Sequence, residues 1–267
     1  MSEPVIVDRG GFRLAARVCG ASEGAPWIVL SNSLGASTLM WEPQMEWLGR
    51  RYRILAYDTR GHGASEAPPG PYSFADLTGD VLALMDHFRI DRAALMGLSL
   101  GGMTALGLAI HHPRRFERVV CCDARADGPE PFVRSWDERL AAIAAGGLDA
   151  IVDGTLERWF VARYHKANPE QIARFRAMFL ATSPVGFAGC AEALKRLDYL
   201  KDLPRIRIPV LYVVGEKDQG APPEAMRAMA AATPGAHLVQ IPDAAHLPNV
   251  DNSFAFHAAV APFLGLS

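Results

Sequence analysis

Residues 93–110, with the sequence AALMGLSLGGMTALGLAI, restrict the fold of this chain more than any other stretch, because eighteen consecutive positions carry no charge. Such a stretch is only just long enough to cross a membrane. Its four glycines, three of them within the turn-like segment 97–102, instead predict a buried strand that passes directly into a helix. Ser99 lies in this apolar stretch, and a buried hydroxyl group costs stability unless it has a partner. The hydroxyl group of Ser99 is therefore expected to have either a hydrogen-bond partner or a function at this position.

Short apolar runs alternate with segments of helical periodicity along most of the chain. This alternation is typical of a parallel sheet flanked by helices. Because the runs are apolar throughout, they predict strands that are covered on both faces. The predicted strands are 26–32, 53–58, 92–98, 118–123, 209–215 and 236–242, and the clearest predicted helices are 73–88, 100–113 and 252–265.

The segment 128–201 departs from this alternation. It contains no run that predicts a strand, only helix-like pieces rich in aromatic residues. A helical block inserted between two strands of a parallel sheet is expected to form a lid over the carboxyl edge of the sheet, where open α/β sheets bind ligands. The sequence therefore predicts an α/β core formed by residues 1–127 and 202–267, with a helical lid formed by residues 128–201.

Composition and charge argue against several classes of partner. The 267 residues include 27 lysines and arginines against 29 aspartates and glutamates, so there is no basic surplus of the kind that nucleic acid or an anionic membrane requires. The four cysteines have no C-x-x-C spacing, which favours free thiols. Residues 1–11 lack the basic and apolar regions of a secretory signal. We therefore expect a cytoplasmic protein.

The segment Gly97-Leu98-Ser99-Leu100-Gly101 has the pattern G-x-S-x-G and lies between the predicted strand and the predicted helix. This is the setting of a nucleophile elbow, in which a sharp strand-to-helix turn exposes a serine hydroxyl at the edge of the sheet. The turn forces the serine into a strained conformation and brings neighbouring backbones close together, so the flanking positions need glycine. The pattern predicts that Ser99 is a catalytic nucleophile.

A serine hydroxyl is a weak nucleophile unless a base accepts its proton. His246 is the candidate base, because it follows the last predicted strand and precedes the final helix. Asp218, just after another strand, is the candidate acid that fixes the imidazole tautomer, which gives the chain order serine, acid, histidine. Asp123 also lies at the carboxyl end of a strand and remains the main alternative acid, whereas Glu216 is expected to be a turn residue.

An acyl-transfer site also needs donors for the oxyanion and groups that hold the substrate. We expect the backbone N–H groups of Leu34 and Leu100 to bind the oxyanion. A carboxylate on the substrate would require an arginine, since a guanidinium binds it through two parallel hydrogen bonds. The candidates, of which Arg125 is placed nearest the site, are Arg125, Arg134, Arg139, Arg158 and Arg163. Three aromatic side chains are expected either to form the apolar wall of the pocket or to pack the lid onto the core: Trp136, Trp159 and Phe160.

Together with the elbow, three further segments resemble the α/β-hydrolase superfamily, and the resemblance extends over nearly the whole chain. They are YDTRGHGASEAP (57–68), GEKDQGAPPE (215–224) and DAAHLPNVDNSF (243–254). The resemblance implies an α/β-hydrolase fold and hydrolase chemistry, with Ser99 as nucleophile, His246 as base and Asp218 as acid.

A narrower resemblance is to the 3-oxoadipate enol-lactonases of aromatic degradation. It rests on LSNSLG, YDTRGHG and GLSLGGMTAL, and on RWFVARY (158–164), which resembles a lid segment of that group. Asn32-Ser33 stands where most of the superfamily has His-Gly. This resemblance implies a small lactone substrate that bears a carboxylate.

The residues and the resemblance together predict a serine hydrolase that cleaves a small carboxylic ester or lactone through an acyl-enzyme, with 3-oxoadipate enol-lactone as the expected substrate. A general carboxylesterase, or a cofactor-free peroxidase-type or lyase-type enzyme, would use the same three residues, whereas a binding protein would not need them intact. The sequence contains no H-E-x-x-H, G-x-G-x-x-G or P-loop motif, so we expect no metal and no organic cofactor. A homo-oligomer is left open.

Overall fold

The computed structural model describes residues 3–266, in which one mostly parallel sheet is flanked by helices. This confirms the predicted α/β fold class. The predicted core also includes residues 1, 2 and 267, which lie outside the described residues. Residues 1 and 2 also begin the segment 1–11 that lacks the features of a secretory signal.

Within residues 3–266 the sheet has eight strands, in the spatial order β1-β2-β4-β3-β5-β6-β7-β8. The strands are β1 (Val5–Asp8), β2 (Arg13–Gly20), β3 (Trp27–Ser31), β4 (Arg53–Tyr57), β5 (Ala93–Leu98), β6 (Phe116–Cys122), β7 (Val210–Gly215) and β8 (His237–Ile241). The pairs β1–β2 and β2–β4 are antiparallel, and all other neighbours are parallel. The six predicted strands correspond to β3–β8, and all residues of the central strand β5 are buried.

The hairpin of β1 and β2 was not predicted from the sequence. Its strands lie at the edge of the sheet, and they mix exposed and buried positions instead of forming continuous apolar runs. Continuous apolar runs mark strands that are covered on both faces, so they do not reveal a half-exposed antiparallel edge.

Eleven α-helices are assigned in the described part of the chain. They are α1 (Glu42–Leu48), α2 (Phe74–His87), α3 (Leu100–His111), α4 (Glu130–Gly146), α5 (Asp149–Trp159), α6 (Ala162–Ala167), α7 (Pro169–Leu180), α8 (Pro184–Lys195), α9 (Pro223–Ala232), α10 (Pro248–Asp251) and α11 (Ser253–Leu264). α2 begins at a reciprocal capping box between Ser73 and Asp76. α3 is buried along its whole length except at His111, and it packs against β3, β5 and β6.

Within residues 3–266, one bent pair of helices has the length and composition that a membrane span requires. No single helix within residues 3–266 is long and apolar enough to cross a bilayer, whereas α7 and α8, bent by 88° at the break between them, meet the requirement together by length and composition.

The helices α4–α8 are inserted between β6 and β7. They pack on one another through the pairs α4–α5, α4–α8 and α5–α7. A single bridge between Asp127 and Asp198 joins the two ends of the insertion. At its other side, the Ser183 N–H donates to the carbonyl of Gly61, in the loop after β4, at 2.8 Å. The helical block therefore lies within the predicted lid segment 128–201, whose exact limits stay a prediction.

Candidate active site

Ser99 lies at the turn between β5 and α3 with φ 55° and ψ −115°, a strained conformation for a residue with a side chain. The flanking positions must be glycine, because neighbouring backbone atoms leave no room for a Cβ atom. A Cβ atom on Gly97 would collide with the carbonyl of Gly101, and a Cβ atom on Gly101 would collide with the carbonyl of Ser31 at the end of β3. The Ser99 N–H donates to the carbonyl of Cys122 at 2.8 Å, which fixes the turn to the end of β6.

Asp218 and His246 follow β7 and β8 and are joined by a hydrogen bond of 2.9 Å between Asp218 Oδ2 and His246 Nδ1. The buried Asp218 carboxylate also accepts the N–H groups of Gly220 at 2.8 Å and Ala221 at 3.2 Å. Burial alone would raise the pKa of Asp218, but the charge and hydrogen bond of His246, together with these N–H groups, hold it below its usual value. An ionised Asp218 keeps the proton of neutral His246 on Nδ1, which leaves Nε2 available as a base.

Ser99 and His246 line the same cavity, and Asp123 reaches it as well. Asp123 makes no hydrogen bond to His246; its Oδ1 instead accepts the N–H of Gly215 at 2.8 Å. Glu216 lies in the turn after β7, where Oε2 accepts the N–H of Asp243 at 2.9 Å. Of the acids that the sequence left open, Asp218 is therefore the one that forms a hydrogen bond with the imidazole of His246.

Asp123, Asp218 and His246 also form the one group of potential metal ligands found within residues 3–266, with one ligand atom of each lying within 4.8 Å of the others. The Nδ1 of His246 is already bonded to Asp218, and the Oδ1 of Asp123 is bonded to Gly215. We interpret the pair of Asp218 and His246 as acid–base machinery, with the buried Asp123 beside it.

The two backbone groups expected to bind the oxyanion flank the elbow from different elements. Leu100 is the first residue of α3, where the N–H groups of the first turn have no acceptor inside the helix and the helix dipole is positive. Leu34 lies in the loop after β3 and lines the cavity. Both positions suit the predicted role, which stays a prediction.

His62 holds the loop that carries Leu34, a role that the sequence analysis missed. Its Nε2 accepts the N–H of Gly35 at 2.9 Å, so its proton is on Nδ1, which donates to the carbonyl of Arg60 at 3.0 Å. Burial lowers the pKa of His62 and keeps the ring neutral, as this pair of bonds requires. The G-H-G sequence around His62 was the available signal.

Asp251 in α10 is a second buried group that the sequence analysis missed. Its Oδ2 accepts the N–H of Ala245, next to His246, at 2.8 Å and the N–H of Val161 in the lid at 3.0 Å. Asp251 therefore ties the histidine loop to the lid.

The cavity has a volume of about 450 Å³ and lies between the sheet edge and the lid. Three of the five candidate arginines line it: Arg125, Arg139 and Arg158. The other two point elsewhere, since Arg134 binds Glu130 and Arg163 binds Asp243.

Two of the three cavity arginines have no carboxylate partner in the described part of the chain. Arg125 pairs with Asp127 at 3.3 Å, whereas Arg139 packs on the ring of Trp136 and Arg158 donates to the hydroxyl of Thr155 at 3.0 Å. Burial, with the neighbouring charge of Arg158, lowers the pKa of Arg139 to about 10. Both groups remain cationic at neutral pH, and neither forms a salt bridge within residues 3–266, although Glu138 and Glu157 lie near enough to act on their charges.

Trp136 and Trp159 line the cavity. This agrees with the first of the two roles left open for them, which were to form the pocket wall or to pack the lid onto the core. Phe160 does not line the cavity, which corrects the first of the two roles left open for it, a place in the pocket wall. It packs inside the lid, stacked on Tyr164 at 5.1 Å and edge-on to Phe175 at 5.0 Å. α5 ends at Trp159, and Phe160 follows it with an extended backbone, so its side chain leaves the cavity face of the helix.

Residues 26–253 match the family model of the alpha/beta hydrolase fold. The chain is 35% identical over 239 residues to 3-oxoadipate enol-lactonase 2 of Acinetobacter baylyi, a match that covers 88% of this chain and 87% of that protein. The crystal structure of an enol-lactonase from Burkholderia xenovorans superposes with a TM-score of 0.94 at 42% identity, covering 98% of this chain and 100% of that chain. A malate-bound thermophilic esterase from Thermogutta terrifontis superposes with a TM-score of 0.90 at 29% identity, covering 99% and 98% of the two chains.

This chain belongs to the alpha/beta hydrolase family. Within that family it is a carboxylic-ester hydrolase, of the class that cleaves esters and lactones. The resemblance drawn from the sequence is thereby confirmed, and the enol-lactonases are among the relatives that this chain matches over most of its length.

Proposed function

We propose that this enzyme hydrolyses 3-oxoadipate enol-lactone, or a small lactone of the same kind that carries a free carboxylate. The observation that carries the proposal is the pair of half-buried arginines, Arg139 and Arg158, that line the cavity of Ser99 and His246 without a carboxylate partner within residues 3–266. A buried cation without a counterion is costly, and a substrate carboxylate would supply one. The names of the relatives above agree with this substrate class.

The proposed reaction begins with attack of Ser99 Oγ on the lactone carbonyl while His246 Nε2 accepts the hydroxyl proton. The N–H groups of Leu34 and Leu100 stabilise the oxyanion, and Asp218 stabilises the imidazolium. As the ring C–O bond breaks, His246 returns the proton to the leaving enol oxygen, which remains attached to the acyl chain. Water, deprotonated by the same imidazole, then cleaves the acyl-enzyme and releases the open-chain acid.

The cavity suits a small substrate with one charged end. Its volume of about 450 Å³ is near the lower end of the range typical of ligand pockets. Trp136 and Trp159 provide apolar walls, and the arginines lie on the lid helices α4 and α5. The lid is therefore proposed to select the substrate, while the sheet edge performs the chemistry.

The proposal is tested by following the ultraviolet loss of 3-oxoadipate enol-lactone with the wild type and with Ser99→Ala. We expect rapid loss with the wild type and at least about a thousandfold lower kcat in the variant, because the acyl-enzyme cannot form. Ser22→Ala, in an exposed loop, is the matched control and should keep full activity. Absence of lactone turnover by a wild type that still cleaves p-nitrophenyl butyrate would reject the substrate and leave the esterase chemistry in place.

The proposal also places the enzyme in the cytoplasm with a small-molecule substrate as its partner. All four cysteines are free thiols, which suits a reducing compartment. Whether the enzyme forms a homo-oligomer stays open, to be checked by the mass of the protein in solution.

A further inference from the structure

Asp123 is a buried carboxyl group that the proposed reaction does not use. It directly follows β6, its side chain is fully buried, and its backbone has φ 46°. Its Oδ1 accepts the N–H of Gly215, but within residues 3–266 its Oδ2 has no hydrogen-bond partner. A buried carboxylate with an unsatisfied oxygen is costly. The protonation state of Asp123 therefore decides what this group can do.

The surroundings of Asp123 disfavour a second negative charge. One oxygen of Asp123, one oxygen of Asp218 and one ring nitrogen of His246 lie within 4.8 Å of one another, and Asp218 already carries the charge that pairs with His246. On its own strand Asp123 follows Cys121 and Cys122, whose thiols stay neutral because burial raises their pKa.

Burial and the charge of Asp218 raise the pKa of Asp123 well above its usual value, and the Gly215 N–H only partly opposes this. Arg125, two residues further on, is paired with Asp127. Two carboxyl groups this close in a buried site share one proton more readily than they hold two charges. The geometry places that proton on the group that accepts no hydrogen bond from His246, which is Asp123.

We propose that Asp123 is a positioning residue that stays protonated and donates a hydrogen bond from its Oδ2–H to the carboxylate of Asp218. This bond gives the orphaned oxygen a partner and adds a fourth donor to Asp218, beside His246, Gly220 and Ala221. It fixes the carboxylate that holds His246 and keeps the net charge of the acid pair at a single negative charge. The role rests on the proposed reaction of Ser99, Asp218 and His246.

Two substitutions of nearly the same shape separate the donor role from a charge role. Asp123→Asn keeps an oxygen for the Gly215 N–H and places an N–H donor where the O–H was, so it mimics the protonated acid. Asp123→Leu has the same branched shape, a larger volume and no donor. Full-length enzyme and p-nitrophenyl butyrate serve for the assay, so the test does not depend on the lactone.

We expect Asp123→Asn to stay within about twofold of the wild type in kcat/KM, with the acidic limb of its pH profile unmoved, because no charge is removed. Asp123→Leu should lose about tenfold in kcat/KM, since the charge-assisted bond to Asp218 is gone. Its acidic limb should move to higher pH, because a carboxylate with fewer donors is a stronger partner for the imidazolium.

Infrared spectroscopy provides a readout that needs no turnover. The difference between wild type and Asp123→Asn at neutral pH should show the C=O stretch of a protonated carboxyl group in the wild type. This measurement decides the matter if Asp123→Leu fails to fold. Failure of the lactone proposal alone would leave the infrared band and the contrast between the two variants unchanged.

Three results would overturn the proposal. The first is an acidic limb that moves to lower pH in Asp123→Asn, which is the sign expected when a negative charge beside His246 is removed. The second is the absence of the carboxyl band. The third is a folded Asp123→Leu enzyme with wild-type rates and a wild-type pH profile.

Discussion

The sheet edge and the lid line the same cavity, but different interactions hold them in place. At the sheet edge the reactive residues follow strand ends and are fixed by backbone hydrogen bonds, such as those from the Ser99 N–H to Cys122 and from the Gly215 N–H to Asp123. Strand ends lie at fixed positions in a parallel sheet, so residues distant in sequence meet there with defined geometry.

In the lid, side-chain packing holds the cavity residues. Trp159 packs edge-on against Phe179 at 5.8 Å, and Trp136 lies against Phe187 with ring centroids 6.2 Å apart. Aromatic packing of this kind tolerates substitution and rearrangement more readily than a hydrogen-bonded strand end. The comparison leads us to propose that the reaction is built into the core, whereas substrate choice depends on a part of the molecule that can change independently.

The largest expected effect concerns the sheet edge. Asp218→Asn should lower kcat by about a thousandfold, because the amide no longer fixes the Nδ1–H tautomer or stabilises the imidazolium. Glu216→Gln, in the same exposed turn but with no bond to His246, should stay within about twofold of the wild type. Both rates are measured with p-nitrophenyl butyrate. Equal losses in the two variants would remove Asp218 from its assigned role.

Two glycine substitutions, one at the sheet edge and one in the lid, test this difference through the free energy of unfolding. Gly101→Ala should lower the free energy of unfolding by about 2–3 kcal/mol or prevent folding, because the added methyl group meets the backbone of Ser31. Gly154→Ala, inside the lid helix α5, meets only the end of the Arg158 side chain at 3.4 Å. It should raise the free energy of unfolding by up to about 1 kcal/mol, because alanine is the better helix former.

Denaturant unfolding of the wild type and both glycine variants measures these changes. If Gly101→Ala were as stable as the wild type, the elbow would not be as tightly packed as the structure shows. A strongly destabilised Gly154→Ala would mean that the lid is also under close steric control.

The sequence predicted the sheet edge well because its signals are local. The order of a strand, G-x-S-x-G and a helix placed Ser99 at the turn, and the ends of two later strands placed Asp218 and His246. The structure joins these two by a hydrogen bond and places His246 beside Ser99 in the wall of the same cavity. The parallel strands β3–β8 were found for the same reason, since each is a continuous apolar run. The edge hairpin of β1 and β2 was missed because its residues are only partly buried.

The lid could be predicted as a helical block but not in its side-chain detail. Which arginine faces the cavity depends on the rotation of each helix, which tertiary contacts set. Arg139 and Arg134 lie on the same helix, yet one lines the cavity and the other pairs with Glu130 at the surface. The role of His62 in holding the Gly35 N–H required the fold to bring the two loops together.

The central claim is that the lid arginines bind a substrate carboxylate while the sheet edge performs ester cleavage. It is tested most directly by kinetics of Arg139→Gln on 3-oxoadipate enol-lactone and on uncharged p-nitrophenyl butyrate, with the exposed Arg134→Gln as the control. We predict that KM for the lactone rises by about 10- to 100-fold, as expected for the loss of a hydrogen-bonded charge pair, while kcat/KM for the uncharged ester changes by less than about twofold. Equal effects on both substrates, or no effect on either, would contradict the account.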